Sequence, residues 1–365
     1  MIRKAKKMKK DLTELFRRSL VVLSVLACVS PHAAQAEPKT VAEVANYKSP
    51  DRQSVLEAGA KLEGGLLLYT TGTQIKPILD RFTKLYPFIK LEIQRGDNAE
   101  IARRIIEEYR AGLYQADGFE LASEGLVVAR DYQILQPFYS PEAINYDPKS
   151  IETKNHWISV RESYGGIGYN TSIIPPDQAP KTWADLADPK YKGMIGISGS
   201  PSVTAHWTAI MVREYGLDIL KKMVMQNLKV YNISSRALAN LTVSGEVPIS
   251  ARASNAHFIE SKKNGASVGW IVPGPVAVTD SVAAITSKAP HPNSMMLLID
   301  FLLTKEAQLM YQELGYDSAR LDMKSPDTPT QKIYFSQEPS FFEDYERWTQ
   351  LFHETFTQNG KDQKC

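Results

Sequence analysis

Along the chain, short apolar runs alternate with stretches in which apolar residues recur every third or fourth position. Leu66-Leu67-Leu68-Tyr69, bounded by Gly64-Gly65 and by Thr70-Thr71-Gly72-Thr73, has the form of a buried strand that ends in a loop. Ile75, Ile78, Leu79 and Phe82 follow at helical spacing, and Pro77 falls in the first turn, where its missing N–H costs nothing. Phe88 to Ile93 repeats the strand and Asn98 to Arg110 the helix, with Ile101, Ile105 and Ile106 on its apolar side. Phe119-Glu120-Leu121 is the third strand, and Ser123 the cap of the next helix. This order predicts parallel pairing through right-handed crossovers.

The middle of the chain repeats the alternation. Strands are expected at Tyr164 to Tyr169, Met194 to Ile197, Leu228 to Tyr231 and Val247 to Ala251, with helices over Val203 to Tyr215, Ser235 to Val243 and Ser254 to Lys263. Pro273-Gly274-Pro275 closes this region. Val276 to Ile285 is apolar and β-branched, a long strand, and helices follow over Asn293 to Leu303 and Lys305 to Leu314. Phe341, Phe342, Tyr345, Trp348, Leu351 and Phe352 suit a helix packed over one lobe.

Composition narrows the class. The 365 residues, 43% hydrophobic and 23% charged, suit two ordinary α/β domains and exclude a disordered chain or a multi-span membrane protein. Cys28 and Cys365 supply neither a disulfide framework nor a thiolate metal site. The formal charge of +2 is carried by the start of the chain, where eight Lys or Arg stand against Asp11 and Glu14. The remainder is net acidic, which argues against a nucleic-acid partner.

That basic start, the apolar run Leu20 to Val29, Pro31 and the triplet Ala34-Gln35-Ala36 are the parts of a secretory signal peptide in order, with cleavage after Ala36. As a helix the run would rise about 15 Å, half of a hydrocarbon core of about 30 Å, so it is too short to span. The alternative is lipidation of Cys28 in Val25-Leu26-Ala27-Cys28. Either way the folded part is exported, to the periplasm in a Gram-negative cell. Residues 37–60 read as a polar lead-in with a short helical patch and 356–365 as a tail.

Five loops share one property: Thr70 to Gln74, Ala122 to Glu124, Gly199 to Ser202, Ser234 to Arg236 and Ser254 to His257 each join the end of a strand to the start of a helix with small hydroxyl, glycine or amide residues. The first N–H groups of a helix are unpaired and its dipole is positive there, so such a junction stabilises an anionic or polar ligand. Each loop alone is explained by helix capping. Five of them on two lobes predict a cleft between facing rims.

Enzyme motifs are missing. Gly166-Ile167-Gly168 lacks the third glycine of a dinucleotide fingerprint, Gly199-Ser200 is not followed by Gly-Lys-Ser/Thr, and there is neither a Gly-x-Ser-x-Gly elbow nor His-Glu-x-x-His. The histidines are scattered. Trp183, Trp207 and Trp270 are read as core and not as the wall of a sugar cleft.

The chain resembles the type II extracellular solute-binding receptors of ATP-driven importers, near their ferric-iron-binding and organophosphate-binding branches. The likeness rests on Leu68-Tyr69-Thr70-Thr71-Gly72, Tyr169-Asn170-Thr171, and Pro180-Lys181-Thr182-Trp183-Ala184-Asp185-Leu186-Ala187-Asp188-Pro189-Lys190-Tyr191-Lys192-Gly193. It extends to Ser244-Gly245-Glu246-Val247 and to Ile299-Asp300-Phe301-Leu302-Leu303 with Glu306-Ala307-Gln308, over roughly residues 62 to 316.

The resemblance implies an α/β chain with the two-lobed type II periplasmic-binding-protein fold, its lobes joined by two crossing hinge strands, Ser159 to Tyr169 and Val276 to Thr286. Residues 61–163 and 280–355 would form one lobe and 164–279 the other, closing over one solute. In ferric-binding relatives two tyrosines, a carboxylate and an anion hold the metal; here the corresponding segment reads Ser254-Asn255-Ala256-His257-Phe258. The anion-holding loop with Ser200 and Ser202 is kept. Together with Thr71, Gly72, Thr73, Ser123, Glu124, Ser235, Arg236, Asn255 and His257 it implies a site for a phosphate, phosphonate or carboxylate group, with no metal and no cofactor. Arg236 is either a grip on that group or a solvent-facing ion-pair partner, and His257 either a ligand contact or a polar residue at a helix start. The expected protein is a periplasmic monomer that delivers a small-molecule solute to the permease of an ABC importer at the inner membrane. The alternatives are a ferric receptor that uses a bound anion, a signalling receptor and a secreted α/β hydrolase.

Overall fold

A computed structural model describes residues 38–323, 333–335, 341 and 344–358, all of them within the unit Pro38–Cys365. The expected signal segment 1–36, Phe342 and residues 359–365 lie outside the described residues, as do the side chains of Pro201 and Ser202.

The strands are β1 (Gly65–Thr70), β2 (Lys90–Arg95), β3 (Gly118–Ala122), β4 (Leu135–Gln136), β5 (Ile158–Asn170), β6 (Ile195–Ser198), β7 (Lys229–Tyr231), β8 (Ile249–Ser254), β9 (Val268–Ile271), β10 (Val276–Thr286) and β11 (Ile333–Phe335). They form one sheet in the order β2-β1-β3-β10-β5-β8-β6-β7, with β4 and β11 on β10 and β9 on β5. The alternation of strand and helix does give parallel pairs, β1 with β2 and β3, and β6 with β7 and β8. β4, β9 and β11, of two to four residues, were not foreseen.

β5 and β10 are the two crossing strands. The C-terminal half of β10 pairs with β3, its length pairs antiparallel with β5, and the far half of β5 pairs with β8 and β9. Both strands are buried along nearly their whole length; β10 is accordingly a largely apolar run, whereas β5 carries Arg161 and Glu162 in its buried middle. Gly168 sits where a Cβ would meet the Phe258 ring at 2.1 Å, so the Gly166-Ile167-Gly168 run serves close packing in β5.

The segment expected to be a lead-in holds two helices. Helices Val41–Ala45 and Arg52–Glu63 lie on helix Pro292–Leu303, whose residues Met295 to Ile299 are all buried. Arg52 Nε is 3.1 Å from Asp300 Oδ2, and the Glu63 carboxylate accepts from the backbone of Asn293 (2.9 Å) and Ser294 (2.8 Å), capping that helix with a negative charge. On the other face of this sheet Ile101, Ile105, Phe119 and Leu126 form a second core.

The other lobe is built on Trp183 and Trp207, both fully buried and edge to face at 6.3 Å between centroids; Trp183 Nε1 donates to Pro275 O at 2.8 Å. The aromatic helix Tyr345–His353 packs on helix Pro201–Tyr215, and Phe352 and Phe356 join the Trp207 core.

Candidate functional site

Between the lobes lies a cleft of ≈ 1100 Å³, lined by the starts of five helices and by the flank of helix Asn98–Arg110 as far as Arg110. From the first lobe come Asp97 and Asn98, opening helix Asn98–Arg110, and Glu124, opening Glu124–Asp131. Facing them are Gly199 and Ser200 before helix Pro201–Tyr215, Ser234 before Ser235–Ser244, and Tyr345 at the start of Tyr345–His353. Each follows from a strand that stops at the same rim, or, for Tyr345, from the C-terminal helix docking there. Ser234 caps its own helix, accepting from Ala237 N at 3.2 Å, whereas Ser200 makes no side-chain capping bond. Five positive helix ends in one cleft favour a negatively charged guest.

One anionic side chain already stands among them. The Glu124 carboxylate is shut off from solvent, and neither oxygen has a hydrogen-bond partner among the described residues. Burial, helped by the Asp280 charge, pushes its pKa up to about 7, against the opposing pull of its own backbone N–H and of Arg252. Asn98 Oδ1 is likewise unpartnered and packs against Gly125, where a Cβ would lie 2.6 Å from that oxygen. Arg252, held at φ +56°, bonds the Thr279 hydroxyl while its Nε is buried without a partner; burial pulls it down to about 10 against the charge of Glu124. Burial also raises the Tyr345 phenol, reinforced by Glu124.

A second polar group spans the hinge. Glu120, wholly buried in β3, accepts from Arg161 Nε at 2.8 Å and from the Thr70 hydroxyl. Arg161 stacks on Tyr316 at 4.6 Å, and Tyr316 donates to Gln74 Oε1 at 3.0 Å. Opposite, His257 is pushed down to about 3 by burial and then by the charges of Arg236 and Arg161, so it is a neutral imidazole, with Nδ1 unpartnered.

The residues singled out from the sequence fall into distinct places. Glu124 and Ser200 line the cleft, and Ser235 follows the capping Ser234. Thr71 and Gly72 form the loop after β1, with the Thr71 N–H on Glu120 O (3.1 Å) and the Gly72 N–H on Thr70 Oγ1 (2.8 Å), while Thr73 is exposed. Ser123 is fully buried and donates to Asp280 Oδ1 at 3.0 Å. Arg236 is ion-paired with Glu260. Asn255 accepts from Tyr164 N (3.0 Å) and donates to Gly315 O (2.9 Å), tying the second lobe to β5 and to the first lobe. The side chain of Ser202 is outside the described residues. Sequence reasoning passed over Asn98, Glu120, Arg161, Arg252, Tyr316 and Tyr345. For Glu120, Arg161 and Arg252 a signal existed: a charged residue inside an otherwise apolar strand.

Residues 121–334 match the family profile of the bacterial extracellular solute-binding proteins. The proposed 2-aminoethylphosphonate-binding periplasmic protein of Salmonella typhimurium is 24% identical, the match covering 70% of this chain and 75% of that one. Among solved structures, iron-bound HitA from Pseudomonas aeruginosa superposes with a TM-score of 0.67 at 19% identity, over 80% of this chain and 99% of that one. The periplasmic binding protein AfuA from Actinobacillus pleuropneumoniae, solved with fructose-6-phosphate, gives 0.68 at 20% identity, over 80% and 99%. These likenesses agree with a two-lobed sheet traversed by two strands. The chain belongs to the family of bacterial extracellular solute-binding proteins.

Proposed function

We propose that this receptor captures a small organic anion carrying a phosphate, phosphonate or carboxylate group in the cleft, closes over it by bending at β5 and β10, and presents the loaded form to an ABC-importer permease at the inner membrane. It works as a periplasmic monomer once residues 1–36 are removed, and it turns nothing over. The observation that supports this reading is the convergence of five helix N-termini, from both lobes, on one cleft. A guest that touches both rims stabilises only the closed form, so binding and closure are one equilibrium.

A ferric guest is the competing reading, favoured by the likeness to iron-bound HitA. Against it, the segment that corresponds to the tyrosine pair of ferric relatives reads Ser254-Asn255-Ala256-His257-Phe258, and burial holds the cleft phenol of Tyr345 away from the tyrosinate form. Calorimetric titration of the mature chain with small organic phosphates, phosphonates and carboxylates, and with ferric citrate, separates the two. One-to-one binding of an organic anion with no product formed is expected. Binding confined to ferric ion, or steady release of a hydrolysis product, would overturn the proposal.

A further inference from the structure

A second cavity shares no lining residue with the cleft. It measures ≈ 680 Å³, inside the range of about 300 to 1000 Å³ usual for small-molecule sites. Helix Asn255–Lys263 and β9 form one wall, Gln312 and Gly315 to Asp317 the other, with Tyr164 of the crossing strand β5 between them. Four aromatic residues line it: Tyr164, Phe258, Trp270 and Tyr316. Trp270 can lie against β5 because Gly166 has no side chain, since a Cβ there would meet the indole at 2.7 Å. The polar ends of these rings are engaged within the protein: the indole N–H donates to Ala253 O (3.3 Å), the Tyr316 hydroxyl to Gln74 Oε1 (3.0 Å) and the Tyr164 hydroxyl to Asp317. What is left for a guest is ring surface, which favours another ring stacked or edge-on.

The rim is cationic. Lys262 is exposed and forms no ion pair among the described residues, and Lys263 Nζ donates to Glu313 O at 2.6 Å. The acid of the lining, Asp317, is buried and accepts from the Tyr164 hydroxyl and from Ser318 N (2.8 Å). Two ammonium groups outside and an occupied carboxylate inside suit a guest whose charged end is negative.

We propose that this cavity is a second binding site, for a planar aromatic carboxylate, with the ring among Tyr164, Trp270 and Tyr316 and the carboxylate at the rim beside Lys262. An aliphatic acid of the same size matches the charge and forfeits the ring contacts; a neutral arene does the reverse. The site stands whether or not the cleft takes an organic anion.

The test titrates 2-naphthoate, 2-naphthamide and cyclohexanecarboxylate calorimetrically into the wild-type mature chain, Lys262→Glu and Trp270→Leu. Saturable binding of 2-naphthoate to the wild type is expected, with cyclohexanecarboxylate weaker by about threefold or more. Lys262→Glu should weaken 2-naphthoate by about fivefold or more and leave 2-naphthamide within about twofold, since only the acid meets the reversed charge. Trp270→Leu should weaken both naphthalenes alike, by about tenfold. Lack of 2-naphthoate binding to the wild type would overturn the proposal. So would 2-naphthoate affinity unchanged in Lys262→Glu, which would place the acid elsewhere on the protein. Lys262 is an exposed residue, so this variant decides even if Trp270→Leu fails to fold.

Discussion

Arg161 Nε lies 2.8 Å from Glu120 Oε1, an ion pair with both side chains buried that joins β3 to the crossing strand β5. The Thr70 hydroxyl and the Tyr316 ring complete its shell. Removing one partner strands the other charge in the interior. Glu120→Ala is expected to lose about 3 to 5 kcal/mol of stability by urea denaturation, and Glu120→Ala with Arg161→Met to recover part of that loss. A single variant as stable as the wild type would mean that water reaches this pair.

Asn255 is a tie between lobes in the geometry of the structure. Both ends of its amide are engaged, with the Tyr164 N–H and the Gly315 carbonyl. Asn255→Ala leaves both buried backbone groups unpaired and is expected to cost about 1 to 3 kcal/mol. Asn255→Asp keeps the bond from Tyr164 and turns an acceptor toward the Gly315 carbonyl, so it should not rescue. Equilibrium unfolding of the three chains checks this; full rescue by aspartate would contradict it.

The pH dependence of the ligand-free protein carries the signature of Glu124. Its folded pKa of about 7 lies above the ordinary 4.5, so its contribution is fully present below the ordinary value and is lost as pH rises through about 7. Burial sets this shift, the facing Asp280 charge adds to it, and Arg252 opposes it. Relative to wild type, Glu124→Gln should gain on the order of 3 kcal/mol between about pH 4 and pH 8. Parallel denaturation curves at those two values read the gap directly, and a constant gap would show that the carboxylate is solvated.

Ser200 sits at the mouth of helix Pro201–Tyr215 and lines the cleft. Ser200→Trp should fill the space opposite Glu124 and abolish saturable capture, with stability changed by no more than about 0.5 kcal/mol, as is usual for a residue outside the core. Unchanged affinity in a titration would remove this loop from the site.

Much of the fold was legible because both halves of the chain obey one periodicity. β10 was visible as a long, largely apolar run, since a strand covered on both faces needs no alternation, whereas the extent of β5, which carries Arg161 and Glu162, came from the family resemblance. Helix Arg52–Glu63 was legible only as a short helical patch, because what fixes it is far away in sequence: Arg52 on Asp300, Glu63 on the start of helix Pro292–Leu303, and Gly59, where a Cβ would meet Asn293 at 2.3 Å. The same division holds at the cleft. Glu124 and Ser200 stand at strand ends, a local property, whereas Tyr345 reaches the cleft only because its helix docks on Pro201–Tyr215. Ser123 and Asn255 carry the right chemistry for a ligand, yet their bonds to Asp280, Tyr164 and Gly315 depend on partners that no spacing reveals.

Capture of a small organic anion between the lobes is tested most directly by native mass spectrometry, with metal analysis, of the protein purified from the cells that make it. One small organic anion per chain, without stoichiometric iron, is the predicted result. Stoichiometric iron with a visible tyrosinate absorption band would contradict it.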